Sequence, residues 1–150
     1  MRSSISRSTR ATSCLFAAAV VAASLLSGCM MMAKAPSDLD YSRTRTSQAH
    51  RYVATIRPDG DSIPKGKLQR WTLHLETPAG VAIDSANIAV DGGMPQHGHG
   101  LPTKPRVTRA LGHGDHLVEG MKFNMGGWWV VKFRVASATG ADSVVFNLSL

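Results

Sequence analysis

The sequence predicts an all-β domain, a seven-stranded antiparallel β-sandwich, placed behind an export signal and a flexible polar tether. Three observations predict it. Residues 50 to 150 contain seven short runs in which apolar and polar residues alternate. Clusters of Gly, Pro and Asp separate those runs. No stretch among them repeats its apolar residues with the 3.6 period of a helix.

Residues 1–10 carry Arg2, Arg7 and Arg10 without an acidic residue, and Cys14 to Leu26 is an apolar run rich in Ala, Val and Leu. This is the charge-then-apolar order of a signal peptide. The run is about 13 residues long, too short for the roughly 20 that cross a bilayer as a helix. It ends at Leu26-Ser27-Gly28-Cys29, which resembles the bacterial lipobox: small residues fit the peptidase, and the thiol receives a diacylglyceryl group. Residues 1–28 are therefore expected to be removed, with Cys29 lipidated and anchoring the chain in a membrane. Met30, not Asp, follows Cys29. The expected location is the outer membrane, facing the periplasm.

Loss of the three signal arginines lowers the formal charge from +7 to +4, because every acidic residue lies after residue 28. The basic balance therefore gives no support to a nucleic-acid partner, and export weakens that class further. The chain has two cysteines; one leaves with the signal and the other carries lipid. No disulfide, thiolate metal site or cysteine nucleophile is expected in the mature domain. Residues 29–48 are polar and aperiodic and read as a tether with a coil reach of about 25 Å. Met30 to Met32 fit the bilayer interface next to an acylated cysteine.

The strands are expected at 50–57, 67–76, 85–91, 105–111, 116–124, 127–137 and 142–150. Alternation points Trp71, Leu73 and Leu75 inward, along with Trp129, Val131, Phe133 and Val135, and Val144, Phe146, Leu148 and Leu150. Arg70, Thr72, His74, Lys132 and Arg134 then face solvent, with His74 an ordinary surface residue. Met121 is assigned to the core. Glu119 would share its parity unless a bulge at Gly120 intervenes.

The longest connection runs Gly92-Gly93-Met94-Pro95-Gln96-His97-Gly98-His99-Gly100-Leu101-Pro102-Thr103-Lys104-Pro105. In an extended stretch His97 and His99 leave the same side, and with the thioether of Met94 they form a set suited to copper. Consecutive hairpins put alternate connections at one end of a sandwich. That brings Met125, in Asn124-Met125-Gly126-Gly127, toward Met94, His97 and His99. His113 and His116, in the next turn along the chain, belong at the opposite end as polar turn residues. The same loop also reads as a shaped protein-contact surface without metal. Catalysis lacks a constellation: no nucleophile elbow, paired carboxylates or phosphate-binding glycine loop is present.

The stretches Val90 to Thr103 and Val118 to Trp129, with Met-Pro-x-His-Gly-His and Met-x-Phe-x-Met motifs, resemble the FixH/YtkA-like family of exported bacterial domains over roughly residues 50–150. The resemblance implies an immunoglobulin-like sandwich, and FixH members accompany copper delivery to respiratory oxidases. Two positions depart from the family. FixH resembles a membrane-spanning protein where this chain has a lipobox, and the family's usual aromatic near position 116 is here His116. The expected function is a non-enzymatic binding protein that holds copper at Met94, His97, His99 and Met125 and exchanges it with an envelope protein. The alternative is a lipid-anchored interaction module that binds no metal.

Overall fold

The structure is a computed structural model and describes residues 34–150; the signal segment, Cys29 and Met30 to Met32 lie outside the described residues. No helix among the described residues is long and apolar enough to cross a membrane. The described residues form nine strands: β1 (Thr44–Thr46), β2 (Val53–Pro58), β3 (Gln69–Glu76), β4 (Asn87–Met94), β5 (His99–Gly100), β6 (Arg106–Gly112), β7 (Asp115–Met121), β8 (Trp128–Ser137) and β9 (Gly140–Ser149). All their pairings are antiparallel.

Hydrogen bonding follows the order β1-β2-β3-β7-β6-β4-β8-β9, with β5 on β4. The join between β6 and β4 is the single pair Ala89 and Arg106, so the path bends there into two leaves. Their inner faces meet in one core holding Trp71, Leu73 and Leu75 from the first leaf and Trp129, Val131 and Phe133 from the second. Every inward residue expected on β3 and β8 is buried, as are Val144, Phe146 and Leu148 on β9, with Leu150 partly so. Phe123 links the leaves, 5.8 Å from Trp71 and 5.2 Å from Trp129 between ring centroids.

The seven expected strands are present, and two short strands correct the count. β1 lies inside the segment expected to be a tether. Thr44, Arg45 and Thr46 pair with Thr55, Ala54 and Val53. The buried Ser47 accepts the Tyr52 amide at 2.9 Å, and Asn147 donates to the Asp40 carbonyl at 3.1 Å. The polar composition that resembles a linker is thus used to add a strand and to close the leaves, since Gln48 N also bonds the Ser143 carbonyl at 2.9 Å. β5 arises inside the glycine-proline connection.

The bulge expected at Gly120 is found. Gly120 has φ +85°, and the β3–β7 register slips there, between Gln69 opposite Met121 and Arg70 opposite Glu119. The slip turns Met121 into the core and leaves Glu119 half-exposed. His116 overturns its expected role as a polar turn residue: it is buried and pairs with Leu73 on β3. Its Nε2 donates to the Ile83 carbonyl at 2.8 Å, which satisfies a polar ring inside the core. His74 faces outward as expected yet is not an ordinary surface residue. Its Nδ1 lies 2.7 Å from Asp115, which also takes the Arg57 guanidinium at 2.8 Å. Burial opposes charge on Asp115, but the hydrogen bonds from His74 and Arg57 outweigh it and hold this carboxyl below its usual range.

Candidate functional site

β4 runs three residues past its expected end because Gly92 and Gly93 permit close approach where they were expected to begin a loop. A Cβ at Gly92 would fall on the Val130 carbonyl oxygen, and one at Gly93 on the His99 carbonyl oxygen. The strand therefore reaches Met94, which is buried. Pro95 starts a one-turn 3-10 helix through His97, and Gly98 closes it in the left-handed conformation with its N–H on the Pro95 carbonyl at 3.3 Å. The chain then reverses, so that Met94 pairs with His99 and Gly93 with Gly100.

This tight reversal, and not the extended stretch expected, sets the two imidazoles side by side. Their centroids are 5.9 Å apart with planes at 22°, and both residues are exposed. His99 also stands edge-on to Trp129, 5.6 Å between centroids. The core tryptophan thereby fixes the position of an exposed ring. His99 Nδ1 lies 3.1 Å from the Gly100 carbonyl oxygen. A carbonyl only accepts, so Nδ1 carries the proton and Nε2 of the neutral ring keeps its lone pair.

The β4–β5 and β7–β8 connections meet, as the alternation of hairpins requires. Gln96 Oε1 accepts the Trp128 amide at 3.4 Å, and the Met94 methyl packs on Gly127, whose φ of +120° and lack of Cβ leave room for it. Met125 is exposed, and its carbonyl accepts the Trp129 indole N–H at 3.1 Å. The expected set is therefore gathered at one end, but divided by depth: His97, His99 and Met125 lie at the surface, and Met94 belongs to the core beneath them. His113 is placed at the opposite end. There Gly114 donates to Asp84 at 2.6 Å and accepts the Leu75 amide at 2.8 Å.

A shallow depression of about 370 Å³ runs beside the loop between Gly93, His99, Val130 and Lys132. Among the described residues no group of three or more His, Cys, Asp or Glu is placed to hold a metal. Nitrogen donors at this end are thus His97 and His99, and further ligation falls to thioether sulfur. Two imidazoles with thioethers are a soft, low-coordinate set that fits Cu(I) better than hard cations. The sequence carried no signal for Gln96 or Trp129 as supports of the loop, because each acts through a contact made across sequence-distant strands.

A family model described as YtkA-like matches residues 46–134. No curated protein and no solved structure matched the chain in the two other comparisons. The matched span begins in β1, takes in Met94, His97, His99 and Met125, and stops within β8. Because it covers more than half of the sequence, the chain belongs to the YtkA-like family.

Proposed function

We propose that this protein is an exported, lipid-anchored, non-enzymatic accessory domain that binds a copper ion at the His97–His99 end and exchanges it with an envelope partner. The observation that carries the reading is the hydrogen bond of the His99 ring to the backbone. Its Nδ1 is engaged by the Gly100 carbonyl, and Nε2 is left as the donor atom beside the exposed His97 ring. A ring fixed through its other nitrogen in this way is the usual arrangement of a metal-ligating histidine. His97 and His99 make the first contact, Met125 supplies the exposed thioether, and Met94 completes the set when its sulfur turns outward past Gly127. The lipobox supports an anchor at Cys29, and Met30 in place of Asp after it supports the periplasmic face of the outer membrane.

One observation favours a second reading, a contact surface without metal: the two exposed rings stack on each other, 5.9 Å between centroids with planes at 22°. A Cu(I) titration against a chromophoric chelator separates the two. It uses the mature chain from residue 29 with Cys29→Ser, so that no thiol competes for the ion. One-to-one binding that a His97→Ala/His99→Ala variant loses is the expected result. Failure of the wild-type chain to compete with the chelator overturns copper handling in favour of the contact surface.

A further inference from the structure

The loops carrying the histidines share their end of the domain with the β2–β3 connection, residues 59–68. Gly66 N donates to the Phe123 carbonyl at 2.7 Å, and Lys65 Nζ reaches toward Gly126. The N-terminal segment joins the domain at this end too. The Asp40 carbonyl accepts Asn147 Nδ2 at 3.1 Å, Asn147 Oδ1 accepts the Trp128 indole at 3.0 Å, and the Trp128 amide donates to Gln96 at 3.4 Å. An unbroken series of hydrogen bonds therefore runs from residue 40 to the residue preceding His97.

That attachment shortens the chain available to reach an anchor. Asp40 follows Cys29 by 11 positions, which even fully extended span at most about 40 Å. The ten-residue strands β8 and β9 span about 33 Å. A connection that at full stretch barely exceeds the length of the domain, and joins it at one end, keeps that end the nearer one to its anchor.

The chemistry of the end suits a bilayer surface. Leu68, Tyr41 and Met125 are 69%, 45% and 40% exposed. Lys65, Lys67 and Arg43 are exposed around them and Lys122 half-exposed. Two of the nearby acids are already engaged, Asp59 by Arg70 at 2.9 Å and Asp40 by Arg45 at 2.8 Å, which leaves Asp38, Asp61 and the half-exposed Glu119, the last beside Lys67 and Leu68. The far end also shows apolar side chains, Val81 and Leu111, but beside the acids Glu76 and Asp84, which disfavour an anionic surface; Asp115 there is engaged by Arg57 and His74.

We propose that the end carrying His97 and His99 rests on the anionic glycerophospholipid surface of the membrane that holds Cys29. Leu68, Met125 and Tyr41 enter the headgroup layer, and Lys65 and Lys67 meet lipid phosphates. The inference rests on lipid attachment at Cys29 and not on copper. Each contact is weak, and the tether makes it persistent by raising the local concentration of surface. A partner that exchanges an ion with the histidines would then be met at the membrane.

The test couples the mature chain through Cys29, its single thiol after the signal is lost, to a maleimide-bearing lipid. The vesicles contain phosphatidylglycerol, phosphatidylcholine and brominated acyl chains. Trp71, Trp128 and Trp129 all lie toward this end, so intrinsic fluorescence reports its approach to the bromines. Flotation verifies coupling, and circular dichroism verifies the fold of each variant. The expected result is quenching that falls by at least half in Leu68→Asp/Met125→Asp and in pure phosphatidylcholine, and persists in Val81→Asp/Leu111→Asp. Absence of quenching in the coupled wild-type chain, or equal loss in both double variants, overturns the proposal. Neither result depends on the copper titration. Mass spectrometry of chain recovered from cells tests native lipidation separately.

Discussion

His99 and His116 show how one residue type is assigned opposite tasks by which carbonyl it meets. Both rings donate to a backbone oxygen, His99 through Nδ1 at 3.1 Å and His116 through Nε2 at 2.8 Å. His99 does so at the surface, where the proposed role of its Nε2 is to hold an ion. His116 does so inside the core, where its bond serves the otherwise dry Ile83 carbonyl. His116→Phe should therefore destabilise the domain by about 1–3 kcal/mol, the cost of leaving a buried acceptor unpaired. Urea unfolding checks this, and a variant as stable as the wild type would show that Ile83 finds another donor. The alternation of residues 116 to 118 marked a strand, but a polar histidine at its start resembles a turn residue until the segment bearing Ile83 is seen covering it. The depth of Met94 was hidden for a related reason: paired glycines signal a turn in sequence, whereas here they let two backbones approach.

At the scale of single elements, the end of β4 and the turn before β2 each depend on one residue. Adding a methyl at Gly92 sets it against backbone, the Val130 carbonyl, which cannot rotate away as a side chain can. Gly92→Ala should cost about 1–3 kcal/mol as an overpacked strand and weaken any ion held by the loop that β4 supports, measurable by thermal unfolding and chelator competition together. The turn of residues 47–51 is held by Asp142 at the start of β9, which accepts the amides of Ala49 at 3.0 Å, Arg51 at 3.3 Å and Ser143 at 2.7 Å. Burial acts to raise its pKa, but hydrogen bonds from Ser47 and these amides prevail and bring it to about 2. A carboxyl whose folded pKa lies below its unfolded value stabilises fully above about pH 4 and loses that contribution as the pH falls toward 2. The stability difference between wild type and Asp142→Asn should thus be constant from neutrality to about pH 5 and shrink steadily below pH 4. A difference independent of pH over that window would assign the effect to packing. None of this was legible in the sequence, because an Asp beside a strand gives no sign of amides some ninety positions away.

For the molecule as a whole, the fold was readable because period-two alternation states which face of each strand is buried, and the seven strands with their inward residues follow from that rule alone. The same rule fails where a strand is short or wholly exposed. Thr44, Arg45 and Thr46 carry no buried side to announce them, only neighbours that complete their hydrogen bonds. The candidate site was legible as a gathering of loops, since hairpin alternation is a property of connectivity, and illegible in depth, which is a property of packing. Residues 40–48 nevertheless make contacts with the strands. A chain cut at residue 49, where the sequence alone draws the boundary, loses β1, the Ser47 hydroxyl that accepts the Tyr52 amide, the Gln48 amide on Ser143 and the Asp40 carbonyl on Asn147. At roughly 0.5–1.5 kcal/mol for each hydrogen bond, residues 49–150 should be less stable than residues 34–150 by at least about 2 kcal/mol, seen as a lower urea midpoint. The cut also removes one end of the hydrogen-bond series through Asn147 and Trp128 to Gln96. Amide exchange at Trp128 should therefore quicken in the shorter chain by more than the global loss accounts for, while exchange at Leu75, on the opposite end, follows the global change. Equal stability of the two chains would return residues 40–48 to the role of a plain tether.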